Sequence, residues 1–505
     1  MYFVEVCSSQ NKTERSKIMS QTGIFVVGLI VYIIVLMFIG WLSARAKSKG
    51  KGFLTGGNSV GVLPLVGTVV ATCIGSGSTM GATGNGYFYG WAGALVAVGN
   101  GIGIAAILMY MGMRKRKHAT LAKELQFLLG GGKEAHKLIT AVLIFVEIMA
   151  IGGSINGASK YLCYVTGMKD VLAKLIITVA FFGFSYFGGF LSVVWTDTIQ
   201  MGIIFVGFIL IAIRALPMAG GYGAVKSAFE AAGNADALGF YGIGAYGTMA
   251  ALTLVVGSFF NAFCSASFYN RVANAASDKV CKQGFLIGAV FDFMFGFLPA
   301  IVGMSCFAIC TQRGTPLEAA DYAFSYMATV ALGPVLGLLL LIAGISACVS
   351  SADSQLISST SMFITDLYPE FLHKELPGER YKSVSRIIML CITLLSFSMA
   401  LYAKDVIGYI TNIFGTMMPG IGVMMILARF WKRITWQGAL ACVFGGIGFG
   451  IIYLFVPPFK AAIAGVFGGP AIVVMIFALI LCIVVSLATP ACTLTEEERL
   501  AKMAE

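Results

Sequence analysis

Apolar runs of about twenty residues recur along almost the whole chain, separated by short polar stretches that carry most of the Lys and Arg. A hydrocarbon core of about 30 Å needs roughly that length of helix. Thirteen membrane spans are predicted, near residues 24–44, 63–86, 89–112, 137–158, 172–192, 194–216, 247–268, 284–309, 331–355, 385–403, 406–428, 437–456 and 469–489. The first run is too long, and too poor in small residues at its end, for a cleaved signal peptide, so it counts as a true span.

Three places break the apolar pattern from within. The first is "ATCIGSGSTMGATGNGY", residues 71–87, with Gly75, Gly77, Gly81, Gly84 and Gly86 interleaved with Thr72, Ser76, Ser78, Thr79 and Asn85. In lipid, unpaired backbone survives only where protein buries it or a watery cavity hydrates it. A glycine-rich break therefore predicts a cavity, whose unwound carbonyls can hold a cation. Close helix packing through small residues is the competing explanation. The second place is "GISACVSSADSQLISSTSMFITDLY", residues 344–368. On a helix, Ala347, Ser350 and Ser351 stand at i, i+3 and i+4 and share a face. Their carbonyl and two hydroxyls can serve a hard monovalent cation such as Na⁺, and the intramembrane Asp353 must be paired or hydrated. The third, "GGFLSVVWTDTIQMG" at 188–202, carries Asp197.

Composition and charge narrow the class. With 58% hydrophobic and 11% charged residues, the chain lies far from the roughly 25% charged of a soluble domain. Counted over alternate loops beginning with "RAKSKGK", one side of the membrane holds 23 of the 34 Lys and Arg, three of them at 271–282. Positive loops stay inside, which predicts an outside N-terminus and an inside C-terminus at the plasma membrane. The net charge of +11 is accounted for by these loops against anionic headgroups, and no nucleic-acid partner is implied. Residues 1–18 precede a second Met at position 19 and read as an upstream extension, with a glycosylation sequon at Asn11. The cysteines are mostly scattered singly, with Cys306, Cys310 and Cys163 the candidates for an outside disulfide; the three histidines lack zinc spacing, which argues against a metalloenzyme.

These motifs resemble the sodium:solute symporters, carriers of sugars, proline, pantothenate, choline and sialic acid. The match runs over roughly residues 20–460 and rests on the glycine-rich 71–87, "GGF...VVWTDTIQ" at 188–200 and "SACVSSADSQLISSTSMFITDLY" at 346–368. The segment "YNRVANAASDKVCKQG" at 269–284 also looks like that family's inside loop, with Asn270 in place of its usual Gln. The resemblance implies an all-α polytopic protein with the leucine-transporter fold, an inverted five-helix repeat. The first repeat would be residues 63–216 and the second 247–428, flanked by a tail at 1–23, a peripheral helix at 24–44, two helices at 437–489 and an inside tail at 490–505. It places Na⁺, the coupling ion, on Ala71, Ile74, Ala347, Ser350 and Ser351, and links Asp197 to ion release or a further Na⁺, a role for which Asp353 is the other candidate. The counterpart break falls in "SFFNAFCSASF", 258–268.

Gly77, Ser78 and Asn261 are the candidate substrate contacts. Neutral Gly77 and Ser78 stand where sugar carriers place carboxamide and carboxylate groups, and Cys73 where proline carriers have an Asp. Backbone N–H groups left open there suit a small organic anion or zwitterion. Na⁺-coupled symport of such a solute is the function expected. A proton-coupled or uncoupled carrier of the same fold is the alternative, and a transporter-like receptor is a third. Glu147 and Asp292 are further intramembrane carboxylates, outside the expected site.

Overall fold

The computed structural model describes residues 23, 25–32, 34–35, 38, 59–188, 190–372, 376–403 and 406–504. The N-terminal tail, its sequon and most of the first predicted span lie outside them, and the positions described between 23 and 38 are helical. No strand forms among the described residues, and a single isolated bridge joins Val60 to Ala275. That is what lipid requires, because a helix pairs its own backbone groups within one segment.

The chain runs through α1 (Val62–Cys73), α2 (Ala82–Tyr89), α3 (Leu95–Ala106), α4 (Leu121–Leu128), α5 (Lys133–Thr166), α6 (Asp170–Gly188) and α7 (Phe190–Met218). It continues with α8 (Thr248–Cys264), α9 (Ala266–Asn274), α10 (Asp278–Phe295), α11 (Phe297–Arg313), α12 (Ala323–Met362), α13 (Gly378–Tyr402) and α14 (Val406–Phe430). The helices α15 (Trp436–Phe455) and α16 (Ala471–Ala488) complete the bundle. Helix therefore stands at each of the twelve predicted spans from residue 63 onward. Nine stretches among the described residues are long and apolar enough to cross a membrane alone, or ten with α8 and α9 taken as one bent span. Three predicted spans are not among these: 24–44 lies mostly outside the described residues, α6, at the predicted 172–192, does not pass the same test, and α1 ends after twelve residues at a break, so no single helix there meets the length of a span.

The packing pairs the two halves of the chain. α1 packs on α7 and α10, and α8 packs in the corresponding way on α14 and α3. α6 lies against α5 and α12, just as α13 lies against α12 and α5. α7 meets α12 where α14 meets α5, and α5 and α12 meet each other. Exchanging the halves thus maps the bundle onto itself, with α5 and α12 as partners at its centre.

Among the described residues two large apolar clusters and a small third around Ala92, Leu95 and Ala251 fill the interior, and the polar site lies where the two large ones meet. α5 passes from one cluster to the other between Ile155 and Ala158, and α12 between Cys348 and Ala352. The change in α12 falls at Ser350 and Ser351. Small residues bring the surrounding helices close. A Cβ on Gly86 would stand 2.9 Å from the Ala300 carbonyl oxygen and one on Gly103 2.5 Å from that of Phe259, so side chains there are excluded by neighbouring backbone.

Candidate functional site

α1 stops at Cys73, because Ile74 leaves the helical region with φ −83° and ψ 65°. The backbone re-forms as a π-helical turn over Gly77–Gly81 before α2 begins. Side chains satisfy part of the freed backbone: the Ser78 hydroxyl donates to the Cys73 carbonyl at 2.7 Å and that of Thr79 to Gly75 at 2.9 Å. The glycines of the segment divide their labour. A Cβ on Gly75 would meet the Ser351 hydroxyl at 3.3 Å, so Gly75 leaves the site open, whereas Gly86 serves the close approach of α11. Both explanations weighed from the sequence hold, at different positions.

Ser351 faces this break. Its hydroxyl lies 3.3 Å from the carbonyl oxygens of Ala71 and Thr72 and 3.1 Å from that of Ala347, one turn back on α12. Ser350 donates to Ala347 at 3.2 Å and also faces the Asp197 carboxylate. Ile74 is the non-helical residue at the end of α1. The structure therefore brings Ala71, Ala347, Ser350 and Ser351 to one point, with Ile74 at its edge. These residues are more than 95% buried and their oxygens are hard and neutral, a chemistry suited to a monovalent cation.

Asp197 sits behind that point in a network the sequence did not disclose. Its Oδ2 accepts from the Thr68 hydroxyl at 2.6 Å and pairs with Arg271 Nη2 at 3.2 Å. Arg271 also donates to Thr68 at 2.7 and 2.9 Å, to the Ser354 hydroxyl at 2.7 Å and to the Ser267 carbonyl at 2.8 Å. One guanidinium thus ties α9 to α1, α7 and α12. Arg271 was counted among the inside-loop charges, and this is corrected: it lies on α9 and is only 2% exposed, so it bears no witness to orientation. Asp353 does not join the Ser351 cluster; it accepts from Ser185 on α6.

The second break lies within the predicted 258–268. α8 ends at Cys264, Ser265 turns to ψ 117°, and α9 departs at 45° to α8. Between the two breaks a cavity of about 110 Å³ is lined by Gly75, Gly77, Ser78, Asn100, Asn261 and Gln355 among others. Gly77, Ser78 and Asn261 are thus gathered at one cavity. Among the described residues no Lys, Arg, Asp or Glu lines it. Among the described residues all cysteines are free, with Cys306 and Cys310 Sγ atoms 4.0 Å apart, and no cluster of metal-ligating side chains occurs.

A helical bundle with two broken helices meeting at a central cavity, repeated by exchange of its halves, defines a secondary transporter. The chain belongs to the sodium:solute symporter family, whose pattern matches residues 53–446. It is 23% identical over 452 residues to the high-affinity proline transporter PutP of Bacillus subtilis, covering 86% of this chain and 94% of that protein. It is 26% identical over 443 residues to the sodium/pantothenate symporter of Haemophilus influenzae, covering 84% and 89%. In three dimensions it is similar to a Na⁺-coupled sialic acid symporter in a substrate-bound outward-open state, with TM-score 0.73 and 17% identity over 93% of this chain and 98% of that one. MhsT in complex with L-phenylalanine has TM-score 0.54 and 15% identity, covering 84% and 98%. The protein is thus a multi-pass membrane transporter, not an enzyme, and couples Na⁺ to the movement of a small organic solute.

Proposed function

We propose that the coupling Na⁺ binds between α1 and α12 on the carbonyls of Ala71, Ile74 and Ala347 and the hydroxyls of Ser350 and Ser351. The observation that carries this is the convergence of Ser351, Ala71 and Ala347 oxygens within 3.1–3.3 Å at a helix break. A cation there holds the free end of α1 against α12. When it leaves, the two helices lose their common ligand, and the cavity can open to the other side. Each Na⁺ carried inward draws on its concentration gradient and on about 2.3 kcal/mol per 100 mV of membrane potential.

The solute occupies the cavity against Gly77, Ser78 and Asn261. A lining without ionised side chains offers no counter-charge to a net anion, and burying an unpaired charge is costly. Of the two classes expected, the zwitterion suits this cavity better, with its carboxylate toward the break after Ile74 and its ammonium toward amide and hydroxyl oxygens. Asp197 and Arg271 close the inner side by holding α9 in place. The N-terminus lies outside and the C-terminus inside. The test is uptake of a solute panel containing L-proline, pantothenate and neutral amino acids into proteoliposomes, with and without inward Na⁺ and H⁺ gradients. Zwitterion uptake driven by Na⁺ is expected; uptake that follows the H⁺ gradient and ignores Na⁺ would overturn the assignment.

A further inference from the structure

The exchange that pairs α1 with α8 also pairs α12 with α5, so the break at Ser265 has its own facing helix. Glu147 stands on that helix, at that break. Its Oε1 accepts from the Ser265 hydroxyl at 3.1 Å and from the Ser267 backbone N–H at 3.3 Å, and the Ser265 and Ser267 hydroxyls lie 2.9 Å apart. The carboxylate therefore caps the first turn of α9. Its other oxygen, Oε2, is buried and has no hydrogen-bond partner among the described residues, and the residue is 2% exposed.

A buried carboxylate of this kind needs a counter-charge. Arg271 is the charged group facing it, four residues beyond Ser267, but the guanidinium spends its donors on Thr68, Asp197, Ser354 and the Ser267 carbonyl. No ion pair reaches Glu147 among the described residues. Helix capping by neutral donors leaves a full negative charge desolvated, and such groups at membrane depth are expensive unless a cation joins them. A carboxylate with one oxygen free and the other on the Ser265 hydroxyl, which itself meets that of Ser267, is a hard-oxygen set of the same kind as Ser350 and Ser351, with a carboxylate in place of a carbonyl.

We infer that Glu147, with Ser265 and Ser267, forms a second monovalent-cation site at the break between α8 and α9, taking Na⁺ or H⁺. It goes beyond the first site and rests on the coupling reading only in that both cations move with the solute. Ser265 also lines the solute cavity, so the cation and the solute share one residue. Binding the cation neutralises the cap of α9, the helix that Arg271 anchors on the inner side. Cavity occupancy and release of α9 are thereby linked.

The test uses purified full-length protein and ²²Na⁺ alone, followed by scintillation proximity, with proton exchange followed by a pH dye. If the site takes Na⁺, the wild type binds one more Na⁺ per chain than Glu147→Gln. If it takes H⁺, the two bind equal Na⁺, but Na⁺ or pH jumps exchange a proton in the wild type that Glu147→Gln does not exchange. Equal Na⁺ count and equal proton exchange in both overturn the inference. Should Glu147→Gln fail to fold, the double variant Ser265→Ala, Ser267→Ala keeps the carboxylate and is expected to weaken the second cation about tenfold; an unchanged affinity overturns the inference equally. Ser351→Ala separates the two failures. If it weakens one Na⁺ while Glu147→Gln changes neither the Na⁺ count nor the proton exchange, the coupling site stands and the second site falls.

Discussion

The two helix breaks occupy equivalent places in the two halves of the molecule, yet they are built from different chemistry. At Ile74–Gly75 the backbone unwinds over several residues, the neighbours are neutral hydroxyls and carbonyls, and glycine keeps the space open. At Ser265 one residue turns, and the helix beyond it is held at both ends by ionisable side chains, Glu147 at the start and Arg271 further along. The first break is shaped to release a weakly held ion. The second is clamped, so that moving α9 requires breaking hydrogen bonds to buried charges, each worth about 1.5 to 3 kcal/mol.

Five experiments separate the open break from the clamped one. The largest effect is expected for Gly75→Leu, because a Cβ there already stands 3.3 Å from the Ser351 hydroxyl and the rest of the side chain must enter the ion site. Uptake should be abolished while the protein still inserts; normal uptake would mean that the break is only a packing device. Next comes Arg271→Ala, which leaves Asp197 buried without its cation. Removing one partner of a buried pair costs roughly 3 to 5 kcal/mol, read as a large fall in thermal stability and in transport. A stable, active variant would show that the clamp is not part of the mechanism.

Ser351→Ala and Ser350→Ala each remove one oxygen from the proposed ion. At roughly 1.5 to 3 kcal/mol, the Na⁺ concentration for half-maximal uptake should rise about 10- to 100-fold, with solute affinity recovering at saturating Na⁺ because coupling between sites is reciprocal. Wild-type Na⁺ dependence in both would remove the ion from the first break. Ser354→Ala, one turn along from those residues, removes a hydroxyl that accepts from Arg271 at 2.7 Å. Arg271 keeps its other acceptors, so a net loss of about 1 kcal/mol, near fivefold in transport, is expected. An unchanged rate would mean that the clamp tolerates losing this contact.

The last experiment perturbs nothing and reads which break faces which side. A tag after Glu505 should be reached by antibody only after permeabilisation; labelling in intact cells would invert the bundle and both breaks with it. The basis is the Lys and Arg bias of the loops, which survives the removal of Arg271 from the count.

Hydropathy alone determined that this chain crosses a membrane many times and that helix stands at the apolar runs from residue 63 onward, because the length and apolarity of a span answer to the bilayer and not to neighbouring helices. Two of the polar interruptions were legible for the same reason, since glycines and hydroxyls at membrane depth need a purpose. The helical spacing of Ala347, Ser350 and Ser351 was also readable, being a property of one helix. Which side chains meet across helices was decided by the tertiary structure. Thr68 looked like an ordinary threonine in an apolar run, Arg271 like a loop charge and Glu147 like an isolated acid. Each acquires its role from a partner between 74 and 203 residues away in sequence. Short-range patterns such as 3.6-residue periodicity record only the neighbours on the same helix, whereas a buried ion pair depends on how distant helices cross, and that is set by the packing of the whole bundle.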